Sequence, residues 1–293
     1  MKKRVVVALC LILVSAAVVW RLRPRDRAPA PQPSASSPAR YPWPLAEAKY
    51  EPLSQRLPTS RGFTRLPLPS GSWGEWLRGL PMRRPGTPVR TESGAVRVPG
   101  AWPQLGAVVD LDLRRNQQCA DIIYRLRAEY LWVTGRPQDI SFRATDGSTL
   151  SWADWKRGVR PISTGKKLIF LKRGAPDASR ASFDRYLAAV FNWCGTLSLD
   201  RDTVQVQPAD LQVGDILVQG GSPGHAVLVV DLARDRSGHA QALFLQGWMP
   251  AQSIHIVSPI GRSGWVGLDP HRPLSVPMFG RPFQWSQVQR FGD

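Results

Sequence analysis

The sequence predicts an α+β fold, with a helix-rich N-terminal half packed on an antiparallel sheet. The first observation is helical periodicity in residues 117–132 and 182–194, where apolar residues recur every three or four positions. The second is a change of pattern after Gly214, where short apolar runs alternate with turn residues, as is typical of strands. Helices that precede a set of antiparallel strands are characteristic of the α+β class.

Size and composition indicate one packed domain together with an N-terminal segment. The chain has 293 residues, of which 43% are hydrophobic and 12 are Trp, and this composition excludes a largely disordered chain. The net charge of +17 comes mostly from scattered Arg, without a basic stripe interleaved with aromatic residues. We interpret it as a solvated basic surface, with lipid headgroups or an acidic wall polymer as alternatives, and expect no nucleic-acid partner.

The N-terminus, residues 1–20, is predicted to be a signal anchor or a signal peptide. A basic start, Met1–Arg4, precedes sixteen uncharged residues that as a helix would span roughly 24 Å, close to the apolar thickness of a bilayer. Bulky residues follow Ala17, at the only approach to a cleavage site, so we favour an uncleaved anchor. Residues 21–44 are rich in Pro, Ala and Ser and are predicted to form an extended tether, which leaves 45–293 as the domain.

Capping signals and turns predict the first elements of the domain. Ser72 and Glu75 form a capping box that opens a short helix. Residues 89–98 alternate around a Ser-Gly turn, which predicts a hairpin, and residues 107–113 are predicted to form a strand. Asn116 is a plausible N-cap for the helix that follows, and Ser151 is expected to cap another short helical turn.

The two long helices and the later strands follow from periodicity. In residues 117–132, the side chains of Cys119, Ile122 and Ile123 begin one apolar face. The second helix, residues 182–194, is expected to stop at Gly195. Strands are predicted at residues 215–219, 225–232, 242–246 and 253–257, with turn residues between them.

Cys119 and His225 are the candidate catalytic pair. Cys119 is expected in the first turn of its helix, where unpaired amides favour a thiolate, and a thiolate is the nucleophilic form of cysteine. His225 begins a strongly apolar strand after a glycine-flanked loop, a position that suits a general base. Gln246 ends the next strand, and in an antiparallel hairpin it returns beside His225, where it is expected to orient the imidazole.

Further residues are candidates for an oxyanion site or for the cleft. Gln117 and Gln118 precede the cysteine and are candidate donors to an oxyanion. Ser222, Trp248 and His255 are candidate cleft residues, and His255 is also an alternative to Gln246 in orienting the base. No CxxC motif or Cys/His spacing typical of a zinc site occurs, so neither a metal nor an organic cofactor is expected.

Each catalytic assignment has a structural alternative. Cys119 lies on an apolar helix face, where a free cysteine is often only a small buried hydrophobe. Cys194 is expected in the core, and a disulfide between these two cysteines, which would remove the nucleophile, is a further alternative. Trp152 and Trp155 would suit sugar stacking, but buried anchors are the preferred interpretation.

The sequence also resembles known families. The order of a helix-start Cys, a Gly-Asp strand (GDILVQ), a Gly-His strand (GHAVLVVD) and a later polar residue resembles the papain-like NlpC-type and CHAP-type hydrolases. The stretches NQQCADIIYRLRAEYL, LPLPSGSWGEWLRGLP, GDILVQGGSPGHAVLVVD and WMPAQSIHI resemble a bacterial family catalogued as domain of unknown function 4846, over residues 41–291. The sequence departs from the wall hydrolases in the Gln-Gln before Cys119 and in Gln246, where His or Asn is commoner.

The papain-like resemblance implies a cell-envelope cysteine hydrolase. It would be a peptidase or amidase acting on peptidoglycan stem peptides or another envelope peptide, with Cys119 as nucleophile. The localisation implied is the inner membrane with an extracytoplasmic domain, or secretion if the leader is cleaved. The alternatives are a non-catalytic envelope binding or scaffold protein that retains the fold, and an adaptor for anionic polymer.

Overall fold

A computed structural model describes residues 40–47, 50–97, 105–258, 263–278 and 281–292. The compact unit that contains them is Arg40–Asp293. The predicted anchor, residues 1–20, lies outside the described residues, as does the tether up to residue 39. In the described part, no helix is both long and apolar enough to cross a membrane.

Six α-helices and seventeen strands lie in the described part of the chain. The helices are α1 (Leu53–Arg56), α2 (Trp73–Arg78), α3 (Cys119–Val133), α4 (Trp152–Lys156), α5 (Arg180–Trp193) and α6 (Thr196–Asp202). The strands are β1 (Glu51–Pro52), β2 (Thr64–Arg65), β3 (Pro81–Met82), β4 (Leu105–Val108), β5 (Ser141–Arg143), β6 (Thr149–Ser151), β7 (Val159–Ser163), β8 (Leu168–Lys172), β9 (Thr203–Gln205), β10 (Ile216–Gln219), β11 (His225–Arg234), β12 (Ala240–Gln246), β13 (His255–Val257), β14 (Val266–Leu268), β15 (Leu274–Met278), β16 (Arg281–Phe283) and β17 (Val288–Phe291).

A nine-stranded sheet organises the domain. Its main path runs β4-β13-β12-β11-β10-β17-β9, while β14 pairs with β12 and β2 pairs with β11. Every registered pairing in it is antiparallel. Nine of the ten residues of β11 are buried, which is expected of a central strand covered on both faces. His225 begins β11, Gln246 ends β12 and His255 begins β13, so these three side chains lie at the same end of the sheet.

Helix α3 packs against β11 and is almost wholly inside the protein. Its apolar side chains, including Ile122, Ile123 and Leu126, are buried. Arg125 and Glu129, which the periodicity places away from the apolar face, are buried as well. They are accommodated because Arg125 donates to Asp112 and Gln117, while Glu129 accepts two bonds from Arg180.

The folded unit begins before the predicted domain boundary. Tyr41 and Trp43, which the sequence analysis assigned to the tether, are buried against Trp76 of α2. The hydroxyl of Tyr41 donates to the carbonyl of Trp76, and the indole of Trp43 donates to the carbonyl of Asp110. These residues belong to the domain because their aromatic rings are buried and because the Tyr41 hydroxyl and the Trp43 indole N–H each have a hydrogen-bond acceptor.

The predicted α+β class is confirmed, but the N-terminal half is not simply helix-rich. It contains strand pairs of its own, among them β1–β3 and β5–β6. Ser72 and Ser151 cap α2 and α4 through their side-chain oxygens, as expected. Asn116 is not the N-cap of α3; it has a φ of 60° and precedes the actual N-cap, Gln118. The hairpin expected at residues 89–98 is reduced to a bridge between Arg90 and Val96 around a tight turn.

The element bounds differ from the prediction by a few residues. Strand β4 ends at Val108, earlier than predicted, because the chain then turns to bring Asp110 against the backbone of Ala46. Helix α5 starts at Arg180, because the hydroxyl of Ser179 accepts a bond from the N–H of Ser182 and so caps the helix there.

Asp231 ties the N-terminal segment to the central strand. Its fully buried carboxylate accepts from Arg65 of β2 at 2.6 Å and from Arg78 of α2 at 2.7 Å. We expect Asp231→Ala to lower the free energy of unfolding by about 3–5 kcal/mol, because two arginines lose their buried counter-charge. The exposed pair of Arg185 with Asp177 is the matched control, and Arg185→Ala should cost under about 1 kcal/mol. Urea unfolding measures both, and equal effects would contradict this assignment.

Candidate active site

Cys119 is the first residue of α3, at the position predicted from the sequence. Gln118 is the N-cap, and its backbone N–H donates to the carboxylate of Asp121 at 2.8 Å, which fixes the first turn. Nearby backbone N–H groups, those of Ala226, Ala120 and Cys119 itself, lower the pKa of the Cys119 thiol. The residue is partly exposed, whereas Ala120 beyond it is buried. The thiol therefore lies at the N-terminus of α3.

Two contacts bring the N-terminus of α3 against the ends of β11 and β12. Ala226, whose N–H lies near enough to the Cys119 thiol to lower its pKa, directly follows His225 in the chain. Gly247 directly follows Gln246, and a Cβ built on it would lie 2.0 Å from Cδ1 of Ile122 and 3.6 Å from the carbonyl oxygen of Gln118. The first turn of α3 thus packs directly on the segment that presents His225 and Gln246. Cys119 is thereby brought to the end of the sheet that carries His225 and Gln246, although more than a hundred positions separate it from them in the sequence.

His225 is enclosed by aromatic rings at the start of β11. Its ring centroid lies 4.6 Å from that of Trp248, edge to face, and 6.1 Å from that of Phe283, nearly parallel. The residue is 1% exposed. Trp248 was a predicted cleft residue, and here it forms one wall around the imidazole. Phe283 belongs to β16, and neither periodicity nor a motif in the sequence indicates that it packs beside His225.

A polar chain crosses the buried ends of the strands behind His225. The Nε2 atom of His225 lies 3.2 Å from Oε1 of Gln246, as the hairpin argument predicts. Nε2 of Gln246 lies 3.1 Å from Nε2 of His255, and Nδ1 of His255 lies 2.9 Å from the carbonyl oxygen of Ser253. His255 is therefore not a substitute for Gln246; it is the next member of the same chain.

This chain determines which nitrogen of His225 carries a proton. A carbonyl oxygen only accepts, so Nδ1 of His255 must donate to Ser253, and Nε2 of the neutral ring then accepts from the Gln246 amide. The amide oxygen of Gln246 consequently faces His225, whose Nε2 donates to it. The Nδ1 atom of a neutral His225 is thereby left with its lone pair, which is what a general base requires.

Burial keeps both rings neutral. It lowers the pKa of His225 to about 4; the bond to Gln246 opposes this effect and the nearby His255 adds to it. Burial likewise lowers the pKa of His255 to about 4, against the bond to Ser253. The neutral state of His255 is the one that the bond from Gln246 requires.

The thiol of Cys119 differs from the expectation of a resting thiolate. Burial raises its pKa to about 11, although hydrogen bonds from Ala226, Ala120 and its own N–H lower it. The carboxylate of Asp121 in the same helical turn raises it further. Desolvation thus outweighs the favourable helix terminus, and the thiol of Cys119 and the imidazole of His225 are both neutral at rest.

The remaining predicted site residues take different positions. Gln118 lies at the N-terminus of α3 as its N-cap, whereas the side chain of Gln117 is fully buried and accepts from Arg125 at 2.6 Å. The amide nitrogen of Gln117 is buried and has no partner within the described part of the chain. Ser222 is exposed in the loop before β11. Roles for these three in the cleft stay predictions.

Several alternatives raised by the sequence are resolved. Cys119 and Cys194 are both free thiols, and Cys194 is buried in the core as predicted. Trp152 and Trp155 are buried anchors that pack on the ring of Tyr186, which confirms the preferred interpretation. No group of three metal-ligating side chains is assembled among the residues that the structure describes.

Two surface clefts lie away from Cys119 and His225. One of about 720 Å³ is lined by residues that include Trp73, Arg127 and Tyr130, and a second of the same size by residues that include His239 and Trp285. Neither lining contains Cys119 or His225.

Comparison with known proteins places the chain in a family. The model of a domain of unknown function (4846) matches residues 53–290, most of the chain. The protein belongs to this family. The match spans every member of the polar chain and the helix that carries Cys119, so the candidate site lies within the family domain. No curated protein and no solved structure matches the sequence.

The polar chain in this family member predicts a pH dependence of stability. A ring whose pKa is lowered on folding takes up its proton more readily in the unfolded chain, so stability is lost as pH falls below about 6.5. Asp121, whose pKa burial raises to about 7, contributes in the opposite direction and is common to every variant compared.

We expect His255→Gln to weaken the loss of stability between pH 7 and pH 4 by about 2–3 kcal/mol relative to the unmodified protein. The glutamine amide still accepts from Gln246 but does not titrate. His271→Gln, at an exposed position, is the matched control and should leave the slope unchanged. Denaturant unfolding at a series of pH values measures the slope, and identical slopes for all three proteins would show that His255 is not held neutral.

Proposed function

We propose that this protein is a papain-like cysteine hydrolase of the bacterial cell envelope, a peptidase or amidase acting on peptides of the wall. One observation carries the proposal. The chain Ser253–His255–Gln246 favours a proton on Nε2 of His225, and the next backbone N–H, that of Ala226, lies near enough to the thiol of Cys119 to lower its pKa. A nucleophile, a base and an orienter of that base are the parts that acyl transfer by a thiol needs.

The protonation states suggest how the reaction would run. As the sulfur of Cys119 attacks the amide carbon, its proton passes to Nδ1 of His225, and the carbonyl electron pair moves to oxygen. The Cys119 N–H and the Gln118 side chain are the proposed donors to that oxygen. When the electron pair returns, the C–N bond breaks and the amine leaves with the proton from His225. Water then cleaves the thioester by the same route in reverse.

The resting pair is proposed to be neutral, unlike a thiolate–imidazolium pair. The raised pKa of Cys119 and the lowered pKa of His225 both oppose charge separation before substrate binds. Proton transfer would therefore accompany attack, as it does when a hydroxyl is activated by an adjacent histidine. Gln246 accepts from the imidazolium as readily as from the imidazole, so the orientation of the ring is preserved through the step.

The proposed location depends on the leader. An apolar segment after a basic start, followed by a Pro-rich tether, would place the domain outside the inner membrane, or release it if the leader is cleaved. Peptidoglycan stem peptides are then accessible.

A non-catalytic binding or scaffold protein is the second candidate. The observation in its favour is the raised pKa of Cys119, to about 11, which makes the thiol a poor nucleophile unless a base removes its proton. In that case the polar chain behind His225 would serve stability and not reaction. The two candidates differ in whether His225 influences the thiol.

Alkylation of Cys119 tests that influence. At pH 7 we expect iodoacetamide to modify Cys119 at least about tenfold more slowly in His225→Gln, because the variant lacks the general base. Peptide mapping by mass spectrometry separates Cys119 from Cys10 and from the buried Cys194. His239→Gln, at an exposed histidine, should not change the rate. Equal rates in all proteins, rising only toward pH 11, would favour the binding protein.

Turnover on the cell wall tests the reaction itself. Purified peptidoglycan incubated with the protein should yield new free amines, detected by mass spectrometry of the released peptides. Cys119→Ala should abolish them, since the nucleophile is lost, while Cys194→Ala, at a core position, should retain them. New amines formed equally by Cys119→Ala, or none formed by the folded unmodified protein, would refute hydrolysis of this substrate.

A further inference from the structure

The hairpin of β7 and β8 stands apart from the main sheet. Its two strands pair only with each other in the described part of the chain, and the turn that joins them is fully exposed. A two-stranded hairpin with no covering sheet is marginal in water unless one face packs on something else. Here Phe170 provides that packing, because it borders a small cavity together with Trp155 and Tyr186.

The opposite face of β8 exposes large apolar side chains. Ile169 and Leu171 lie on the face away from Phe170, since successive strand residues alternate, and they are 43% and 41% exposed. Across the pair, Ile169 faces Ile162 of β7. Ile169 and Leu171 are among the six large hydrophobic residues that are exposed in the described part of the chain, and they lie two positions apart on one face of the strand. Such clustering marks an interaction surface more than incidental exposure.

The same hairpin is strongly basic. Residues 155–176 contain seven Lys or Arg and neither Asp nor Glu. Four of these cations border the exposed apolar residues, two on each side along the strand: Lys166, Lys167, Lys172 and Arg173. Lys167 lies near enough to the carboxylate of Asp146 to lower its pKa, whereas no ion pair joins the other three cations to a carboxylate in the described part of the chain. The charges of Lys166, Lys172 and Arg173 are therefore exposed to solvent along the strand that carries Ile169 and Leu171.

We propose that this hairpin, residues 159–173, docks the domain onto an anionic lipid surface. Exposed aliphatic side chains enter the boundary between headgroups and acyl chains, while flanking lysines and arginines contact anionic headgroups. A glycan or a teichoic-type polymer would match the charge but offers nothing for Ile169 and Leu171. A bilayer matches both features. The inference is independent of the proposed hydrolase activity.

The predicted anchor makes a bilayer accessible to this surface. The residues between the predicted anchor and the compact unit, 21–39, would reach about 60 Å at most in polyproline form, so an anchored domain would stay near the membrane. A weak second contact then acts at high effective concentration. The hairpin would set which face of the domain is turned to the bilayer, a restraint that a flexible tether alone does not supply.

Vesicle sedimentation of residues 40–293 tests the proposal. This fragment is the compact unit and contains the described apolar core, from Tyr41 to Val288. It should bind vesicles of phosphatidylcholine mixed with phosphatidylglycerol and bind pure phosphatidylcholine vesicles far more weakly. Lys166→Glu with Lys167→Glu should reduce the partition coefficient at least about 25-fold, and Ile169→Ser with Leu171→Ser about tenfold.

Matched variants elsewhere on the surface separate docking from general basicity. Arg61→Glu with Arg236→Glu makes the same change in charge, and Val96→Ser with Val204→Ser makes the same change in exposed apolar area. Each should reduce binding less than about threefold. Thermal unfolding confirms that all variants fold.

Three results would overturn the proposal. The first is no binding to anionic vesicles, which would leave a protein partner for the hairpin. The second is an equal loss in the control pair of charges, which would mean binding by the overall basic surface. The third is full binding by the Ile169 and Leu171 variant, which would mean purely electrostatic contact and no insertion.

Discussion

The buried chain of hydrogen bonds from the Ser253 carbonyl to His225 is the constraint on which the candidate site depends. Each member has one permitted role: the carbonyl accepts, His255 donates and accepts, and Gln246 does the same at its two ends. Because burial keeps both rings uncharged, the donors and acceptors of the chain keep the same roles near neutral pH. The sheet serves this chain by holding the ends of β11, β12 and β13 side by side.

Packing around the chain places the first turn of α3 against the segment that follows Gln246. There, a residue without a side chain allows Ile122 to approach. The buried charges of α3 are neutralised by partners from other elements, so the helix is fixed along its length. The same scaffold also fixes the Cys119 sulfur in a desolvated position. Close packing therefore both fixes the helix and raises the pKa of the Cys119 thiol. In the proposed reaction, Nδ1 of His225 would have to remove a proton from this weakly acidic thiol.

Much of the architecture could be predicted from the sequence, since it depends on local signals. The periodicity around Cys119, the capping serines and the apolar strand after His225 each indicate an element within a few residues. Gln246 could be placed beside His225 because hairpin geometry relates the two positions. The role of His255 could not, because it depends on a third strand whose register no local pattern determines. Nor could the pKa of Cys119 be inferred, since it depends on burial by residues distant in sequence.

The polar chain ends on a main-chain oxygen, and this has a consequence for tracing the site through evolution. A peptide carbonyl is supplied by any amino acid, so position 253 is free to vary while its contribution persists. An alignment of relatives would then highlight His225, Gln246 and His255 and overlook the atom that sets the direction of all three. What selection must preserve at that point is the path of the backbone before β13, and insertions there would be more disruptive than substitutions.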